Sequence, residues 1–585
     1  IYARELKSIT ITPQMAKILS ISAKKLSPNE LIHQLLKAPV DLIWNGGIGT
    51  YVKSSQEEHL KVGDKANDVL RVNGQDLQCR VFGEGGNLGV TQLGRIEAAL
   101  QGVRFNTDFI DNAAGVDCSD HEVNIKILLA ELIQHGRLDK ADRNELLETM
   151  TDEVSALVLA NNADQVRVLG LAQRESFRRL GEYRRLIARL EQGPLDRALE
   201  FLPDDETLQQ RSLNGIGLTR PELAVLMCYT KAELKETLAD LPLASTEYAL
   251  KEAYTAFPKT LVDQYANEIG SHQLIRQIAA TQMSNSIVHR VGITVVQRMM
   301  DTSNADIQQT VAAYLAVKNL LNLDQLWYSI ETIQTSYELQ LEMFFTVQRL
   351  LRRSMRLLLR QNHCVLDVDD TVKRYSHGVR FFFSNVDRLL KDKEAEAWQN
   401  AADHYVASGV PEGVAKTIAA CDFGLAAFDI VDAHLAVAEE ALEATSHLYF
   451  RVRSLLGCQW LESQIRDFPV TNHWTAMARE ALLDDLYGQQ GKLVAMIIRA
   501  GKNELSIQLD DSQQALDKVD QLLELFLKRF APWIDQWIKT LSEMKSLPAI
   551  DHPVATVAMR QLADIVRAVE NWADGESVLS CRSES

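Results

Sequence analysis

The sequence predicts an α/β segment over residues 1–125 followed by an all-α region to the carboxyl end. Three observations carry this. Short apolar runs at 40–44, 79–82 and 103–107 each end in a turn rich in Gly, Asn or Asp. Helical patterns precede the first run and separate the second from the third. From about residue 121 strand-like alternation almost disappears, and leucine recurs at helical spacing. We divide the chain into 1–125, a helical region 126–340 and a helical carboxy-terminal domain 341–585.

Taken in order, Ser27-Pro28-Asn29-Glu30 reads as a capping box with proline at the first helical position, opening a helix over Pro28–Lys37. That helix feeds the strand at 40–44, which ends in Asn45-Gly46-Gly47-Ile48-Gly49. Residues 53–75 are polar and charged and read as a surface excursion. The strand at 79–82 ends in Gly83-Glu84-Gly85-Gly86-Asn87, a helix covers Val90–Gln101, and the strand at 103–107 runs into Asp108–Gly115. Strand, crossover helix, strand is the parallel unit.

In the helical region, Ser119 and Glu122 read as a capping box opening a helix over Val123–Ile133. Thr219-Arg220-Pro221-Glu222 is another, with Leu223, Met227, Leu234, Leu238 and Leu241 following on one face. Pro203-Asp204-Asp205 and Pro411-Glu412-Gly413 mark turns. Asp511–Phe530 reads as an amphipathic helix stopped near Pro532, with Trp533 and Trp537 stacked one turn beyond it. Asp574–Ser585 is expected to fray.

The chain has 585 residues, 46% of them hydrophobic, and a mean hydropathy of −0.13, the profile of a soluble protein of two to four domains. No stretch is apolar enough to cross a bilayer, and no signal-peptide pattern opens the chain. Seven cysteines (79, 118, 228, 364, 421, 458, 581) lack any C-x-x-C pair, which suits reduced thiols in a cytoplasmic protein and argues against a metal site. A net charge of −17 disfavours nucleic acid as a partner. The arginine stripes 349, 352, 353, 356, 360 and 174, 178, 185, 189 are expected to pair with acidic neighbours. Ile1 in place of Met points to processing or truncation.

The glycine-rich strand ends are the candidate site. Glycine lets backbone amides approach a ligand closely, and asparagine supplies both donor and acceptor. In open α/β sheets the ligand crevice lies at those ends. No G-x-G-x-x-G is intact: Val52 and Leu88 stand where the third glycine would fall. Ser119 either caps a helix or, with nearby amides, receives a carboxylate; both uses remain open at this point. His121 lacks a second histidine at metal-ligand spacing and reads as a solvent-exposed or helix-start residue. Cys118, without a base partner, is expected to be a buried inert thiol.

Glu84-Gly85-Gly86-Asn87 and Asp111–Val116, with Ser119 and Glu122 after them, resemble the late motifs of glutamate dehydrogenases, E-G-A-N and N-A-G-G-V-x-x-S-x-x-E. The strings Trp44–Lys53, Glu84–Gly89, Asp111–Leu128 and Leu218–Leu226 resemble the large bacterial NAD-specific members, and the likeness runs over essentially the whole chain. The resemblance implies the carboxy-terminal half of a Rossmann-like nucleotide-binding domain with a large helical region after it. It implies NAD as cofactor, glutamate and 2-oxoglutarate as substrate and product, and a homo-oligomer. Carried over by position, Ser119 and Val116 would hold the substrate's side-chain carboxylate. Asn87 and Asn112 would face the nicotinamide half of the cofactor, and Asn45, Gly46, Gly47, Gly49, Thr50, Glu84 and Gly85 would line its crevice.

The family's catalytic lysines, its acid/base aspartate and its glycine-rich phosphate loop have no counterpart in Ile1–Pro39, so no catalytic residue is assigned. The resemblance thus implies a piece of a larger enzyme, inactive by itself. Ala114-Gly115 replaces the family's Gly-Gly. The alternative reading is a helical regulatory or oligomerisation module with vestigial glycine loops.

Overall fold

A computed structural model describes residues 2–361, 366–435, 442–470, 472–505 and 515–574. They gather into two compact units, 1–301 with 306–311 and 302–305 with 312–585. The change of pattern near residue 125 therefore lies inside the first unit.

The first unit opens with β1 (Ile9–Thr10) and β2 (Lys25–Leu26), paired antiparallel around α1 (Pro13–Ile18). The Ser27 capping box forms as read and opens α2 (Pro28–Leu36). Three parallel strands follow: β3 (Leu42–Asn45), then beyond a further pair β6 (Val81–Glu84) and β7 (Arg104–Phe105), in the order β3-β6-β7. Their register sets Leu42 beside Val81, Trp44 beside Gly83 and Phe82 beside Phe105. One face is apolar and buried. Phe82 and Phe105 stack there at 4.8 Å, packed with Cys79, Val90, Ala98 and Val103. The opposite face shows Leu42, Trp44 and Val81 to solvent.

The stretch 53–75 is a surface excursion in its middle, where residues 55–66 are exposed or half-buried, but its ends are built into the fold. It holds a second parallel pair, β4 (Val52–Lys53) with β5 (Val72–Asn73), and the short α3 (His59–Val62). Arg71 is 4% exposed. Its Nε donates to Thr50 O at 2.9 Å and its Nη2 to Asp64 O at 2.6 Å, while Nη1 pairs with Asp68 Oδ1 at 2.6 Å. Lys53 and Arg71 are the buried charged residues of this stretch, and Arg71 is accommodated by these partners.

After β6 come α4 (Gln92–Leu100), capped by Thr91, then α5 (Asp108–Asp111) and α6 (Ala114–Gln134). Here a second expectation fails. Helix α6 starts at Ala114, so Ser119 and Glu122 lie within it and form no capping box. Ala113 and Ala114 are strong helix formers that carry the turn back past Ser119. Glu122 instead pairs with Lys126 one turn on. His121 is 4% exposed, and its Nδ1 lies 2.8 Å from Ala256 O, so it is a buried mid-helix residue. Cys118 is exposed, not buried.

Further on, Thr219 caps the helix Arg220–Asp240 with its capping box complete, and Leu223, Met227, Leu234 and Leu238 are buried along it. Asp204 and Pro411 are the residues from which the helices Asp205–Leu213 and Glu412–Ala420 start.

In the second unit, helix Ala515–Lys545 runs through Pro532 and breaks direction at Phe530 (φ −108°, ψ 17°). A proline near a break loses little, because that backbone bond is already forfeited. Trp533 is 42% exposed while Trp537 is buried, its indole N–H donating to Leu456 O at 2.8 Å, so the two do not stack. Residues 511–514, Cys364, Cys581 and residues 575–585 lie outside the described residues.

The arginine stripes behave as expected where their partners are seen. Arg349 pairs with Asp422, Arg356 with Glu480 and Asp484, and Arg360 with Asp484. Arg185 pairs with Asp301 and Arg189 with Glu233.

The core of this unit also buries a polar cluster. Arg453 Nε donates to Glu394 Oε1 at 2.6 Å and its Nη1 to Gln490 Oε1 at 3.0 Å, and it pairs with Glu462 as well. Nearby, Tyr449 donates its hydroxyl hydrogen to Asp429 Oδ2 at 2.9 Å. Burial pushes the Asp429 carboxyl up to about 8; Asp432 adds to this, and the Tyr449 bond, Arg453 and Arg353 oppose it. Between its ordinary value and about 8, the folded chain holds a proton that the unfolded chain has released. This stabilises the fold fully below pH 4 and is lost as pH rises toward 8, at roughly 1.4 kcal/mol per pH unit. We expect Asp429→Asn to be less sensitive to pH, gaining about 2 kcal/mol on the parent between pH 6 and pH 8. Urea unfolding at the two pH values measures this, and parallel shifts in both proteins would refute it.

No helix among the described residues is long and apolar enough to cross a membrane.

Candidate functional site

The carboxyl ends of β3 and β6 point the same way, and their loops are tied together by backbone bonds. Gly85 N–H and Gly86 N–H both donate to Asn45 O, at 2.9 and 3.1 Å. Thr50 Oγ1 donates to Leu88 O at 2.7 Å, and Tyr51 N–H to Gly89 O at 2.8 Å. The β3 loop makes its turn at Gly49, whose φ of +122° suits only glycine without strain.

The expected site residues fall into two groups. Gly46, Gly47, Gly85 and Asn87 are exposed on the loops, and Val116 and Ser119 are exposed one turn apart on α6. Asn112, just ahead of α6, donates from Nδ2 to Asn87 Oδ1, so the two asparagines are brought together across the β6 and β7 loops. Asn45 Nδ2 is buried against Gly89 and has no hydrogen-bond partner among the described residues.

The other group faces inward. Glu84 is fully buried: its Oε2 accepts from Arg95 Nε at 2.7 Å, and its Oε1 from Arg95 Nη2 at 2.9 Å and Val90 N–H at 3.0 Å. Burial pushes the Glu84 carboxyl up, and Arg95 pulls it back. Thr50 has its hydroxyl engaged on Leu88 O, and its N–H donates to Asp64 Oδ2 at 2.8 Å. Glu84 and Thr50, expected to line the crevice, are buried beneath the loops, with their polar atoms engaged by residues of the same unit.

Sequence reasoning missed several bracing residues. Arg95 also reaches Asp108 at 3.1 Å, and Asp108 Oδ2 accepts Leu88 N–H at 2.8 Å. An arginine on the apolar side of α4 was the available signal. Trp44, 59% exposed, lies over Gly83 and Gly85: a Cβ on Gly83 would sit 2.5 Å from its Cε3, and one on Gly85 2.7 Å from its Cζ2. These two glycines therefore make room for an indole of the same chain.

No group of His, Cys, Asp and Glu among the described residues could hold a metal ion. The arrangement can offer amide and hydroxyl donors to a polar or anionic ligand at the ends of parallel strands.

Such a site on parallel strands, followed by a long helical region, defines a class that comparison with known proteins resolves. Residues 1–172 match the family model for the bacterial NAD-glutamate dehydrogenase catalytic domain, and residues 215–564 match that for the glutamate dehydrogenase C-terminal region. The chain belongs to the bacterial NAD-specific glutamate dehydrogenase family. It is 42% identical over 574 residues to the NAD-specific glutamate dehydrogenase of Pseudomonas aeruginosa, covering 98% of this chain and 35% of that protein. The Halomonas elongata protein of the same name is 41% identical over 97% of this chain and 34% of its own length. That of Mycobacterium tuberculosis is 34% identical over the same shares. The chain thus spans about a third of the length of the curated relatives it matches.

Proposed function

We propose that this chain supplies part of the NAD crevice and one wall of the substrate pocket of an enzyme that oxidatively deaminates L-glutamate to 2-oxoglutarate and ammonia. The observation that carries this is the Asn87–Asn112 pair at the ends of parallel strands, next to a helix that exposes Val116 and Ser119. The resident group would be NAD, which supplies the hydride acceptor when bound. The loops suit it: Gly46, Gly47 and Gly85 leave backbone exposed, and Asn87 and Asn112 offer amide groups. Asn87 and Asn112 would orient the nicotinamide side, and Val116 and Ser119 would take the substrate's distal carboxylate. Arg95, Glu84 and Thr50 hold these groups at their spacing.

The same reading makes residues 1–125 half of a Rossmann-like domain, with 126–340 a helical region and 341–585 a helical carboxy-terminal domain, and implies a cytoplasmic homo-oligomer. Other parts of a polypeptide as long as the relatives would supply the proton-transfer groups, so this chain alone is expected to be inactive.

The test is glutamate-dependent NADH formation by a polypeptide of the relatives' length, with Ser119→Ala beside it. Losing a hydrogen bond to a carboxylate costs about 1.5–3 kcal/mol, so KM for glutamate should rise roughly 10- to 150-fold with KM for NAD unchanged. A folded, inactive parent would refute the reading, and an unchanged KM for glutamate would remove Ser119 from the site.

A further inference from the structure

Arg220 opens the helix Arg220–Asp240 in the region matched by the C-terminal family model. A cation at a helix N-terminus opposes the helix dipole, so this position gives it no local benefit. Its side chain instead reaches the strand-end loops, 114 residues away in sequence. Arg220 Nε and Nη2 both donate to Asn106 Oδ1, at 3.0 and 2.8 Å, and Nη2 also donates to Val166 O at 3.3 Å. Asn106 Nδ2 donates to Asp111 Oδ1 at 2.8 Å, and Asp111 Oδ2 accepts Glu84 N–H at 3.0 Å. The amide of Asn106 has one orientation that satisfies both neighbours: oxygen toward the guanidinium, NH2 toward the carboxylate.

This relay ends on the two loops of the site. Glu84 N–H lies at the end of β6, three residues before Asn87, and Asp111 immediately precedes Asn112. Burial pushes the Asp111 carboxyl up; the Asn106 bond, Glu84 N–H, Arg220 and Arg95 hold it down. The buried carboxylates nearby are Glu84 and Asp108, both paired with Arg95. A second link runs beside the first: Gln92 Nε2 on α4 donates to Pro221 O at 3.3 Å.

We infer that Arg220 is a positioning residue for cofactor binding, setting the spacing of Asn87 and Asn112 through Asn106 and Asp111. The helical region thereby acts on the dehydrogenase site directly. The catalytic part of this inference rests on the function proposed above, whereas the coupling between Arg220 and the loops does not.

The test uses a polypeptide of the relatives' length carrying Arg220→Gln, Arg220→Lys, Asn106→Ala, or Arg220→Gln with Asn106→Ala. Arg220→Gln should raise KM for NAD at least tenfold, with kcat kept within about threefold. The acid limb of its kcat/KM profile should move to higher pH as Asp111 protonates more readily. Lysine should restore less than half of the loss, because an ammonium lacks the planar fork. The double variant should be no worse than the poorer single one. Amide hydrogen exchange should speed up at 84–89 and 110–113 in Arg220→Gln while helix Ile275–Val291 keeps its protection. Uniformly faster exchange with unchanged KM for NAD would overturn the inference. If the parent does not form NADH, the functional proposal fails, and the exchange pattern alone still decides the coupling.

Discussion

Arg95→Met is expected to destabilise the first unit by about 3–5 kcal/mol, because it leaves a buried carboxylate without its counter-ion. Glu84 has no exposed surface and Arg95 is 5% exposed, so neither can turn to water when the other is removed. The change also strips Asp108 of its 3.1 Å partner, and Asp108 holds Leu88 N–H. Leu88 already sits at a φ of +58°, which branched-chain and other bulky residues rarely adopt. The loop should therefore loosen before the sheet does. Amide exchange across 84–105 during urea titration would show this order. Glu84→Gln with Arg95→Met should recover most of the loss, since removing both charges costs far less than removing one. A single variant within about 1 kcal/mol of the parent would refute the bracing role given to this pair.

Arg453→Met should be of similar size in the second unit, about 3–5 kcal/mol at neutral pH, because Glu394 and Glu462 are then both buried without it. Its dependence on pH is the sharper test. Burial works to raise the Glu462 carboxyl, but Arg453, Arg466 and Arg353 outweigh it and hold it down at about 2. A carboxyl held down stabilises the fold above its ordinary value, and that stability is lost as pH falls toward 2. Without Arg453 the carboxyl takes up its proton at higher pH, which relieves the uncompensated charge. The deficit of the variant should therefore be largest near pH 7 and shrink toward pH 4. Urea unfolding at both values measures it, and a constant deficit would show that lost packing, rather than charge, is responsible.

What was legible in the sequence was local. The short apolar runs at 40–44 and 79–82 and the glycines after them located parallel strands, and Ser27-x-x-Glu30 and Thr219-x-x-Glu222 located two helix starts. The same signal failed at Ser119-x-x-Glu122, because that spacing also fits one helical face, and Ala113-Ala114 extends the helix upstream. Pro532 failed for a related reason: the break at Phe530 lets the helix pass it. For the site, the exposed residues could be placed from their strings. Their supports could not. Arg71 on Thr50, Arg95 on Glu84 and Arg220 on Asn106 join residues 11 to 114 positions apart, and nothing local in the chain announces such partners.

The indole of Trp44 has a consequence for how this loop can vary. Residues 44, 83 and 85 share one volume: the ring occupies what two side chains would otherwise fill. A methyl group gained at 83 or 85 must displace the half-exposed indole, which turns toward solvent or gives way to a smaller residue at 44, and a smaller residue at 44 opens a trough that a side chain at 83 or 85 can fill. The three positions are therefore coupled through one ring, so the cost of a substitution at 83 or 85 depends on which residue stands at 44.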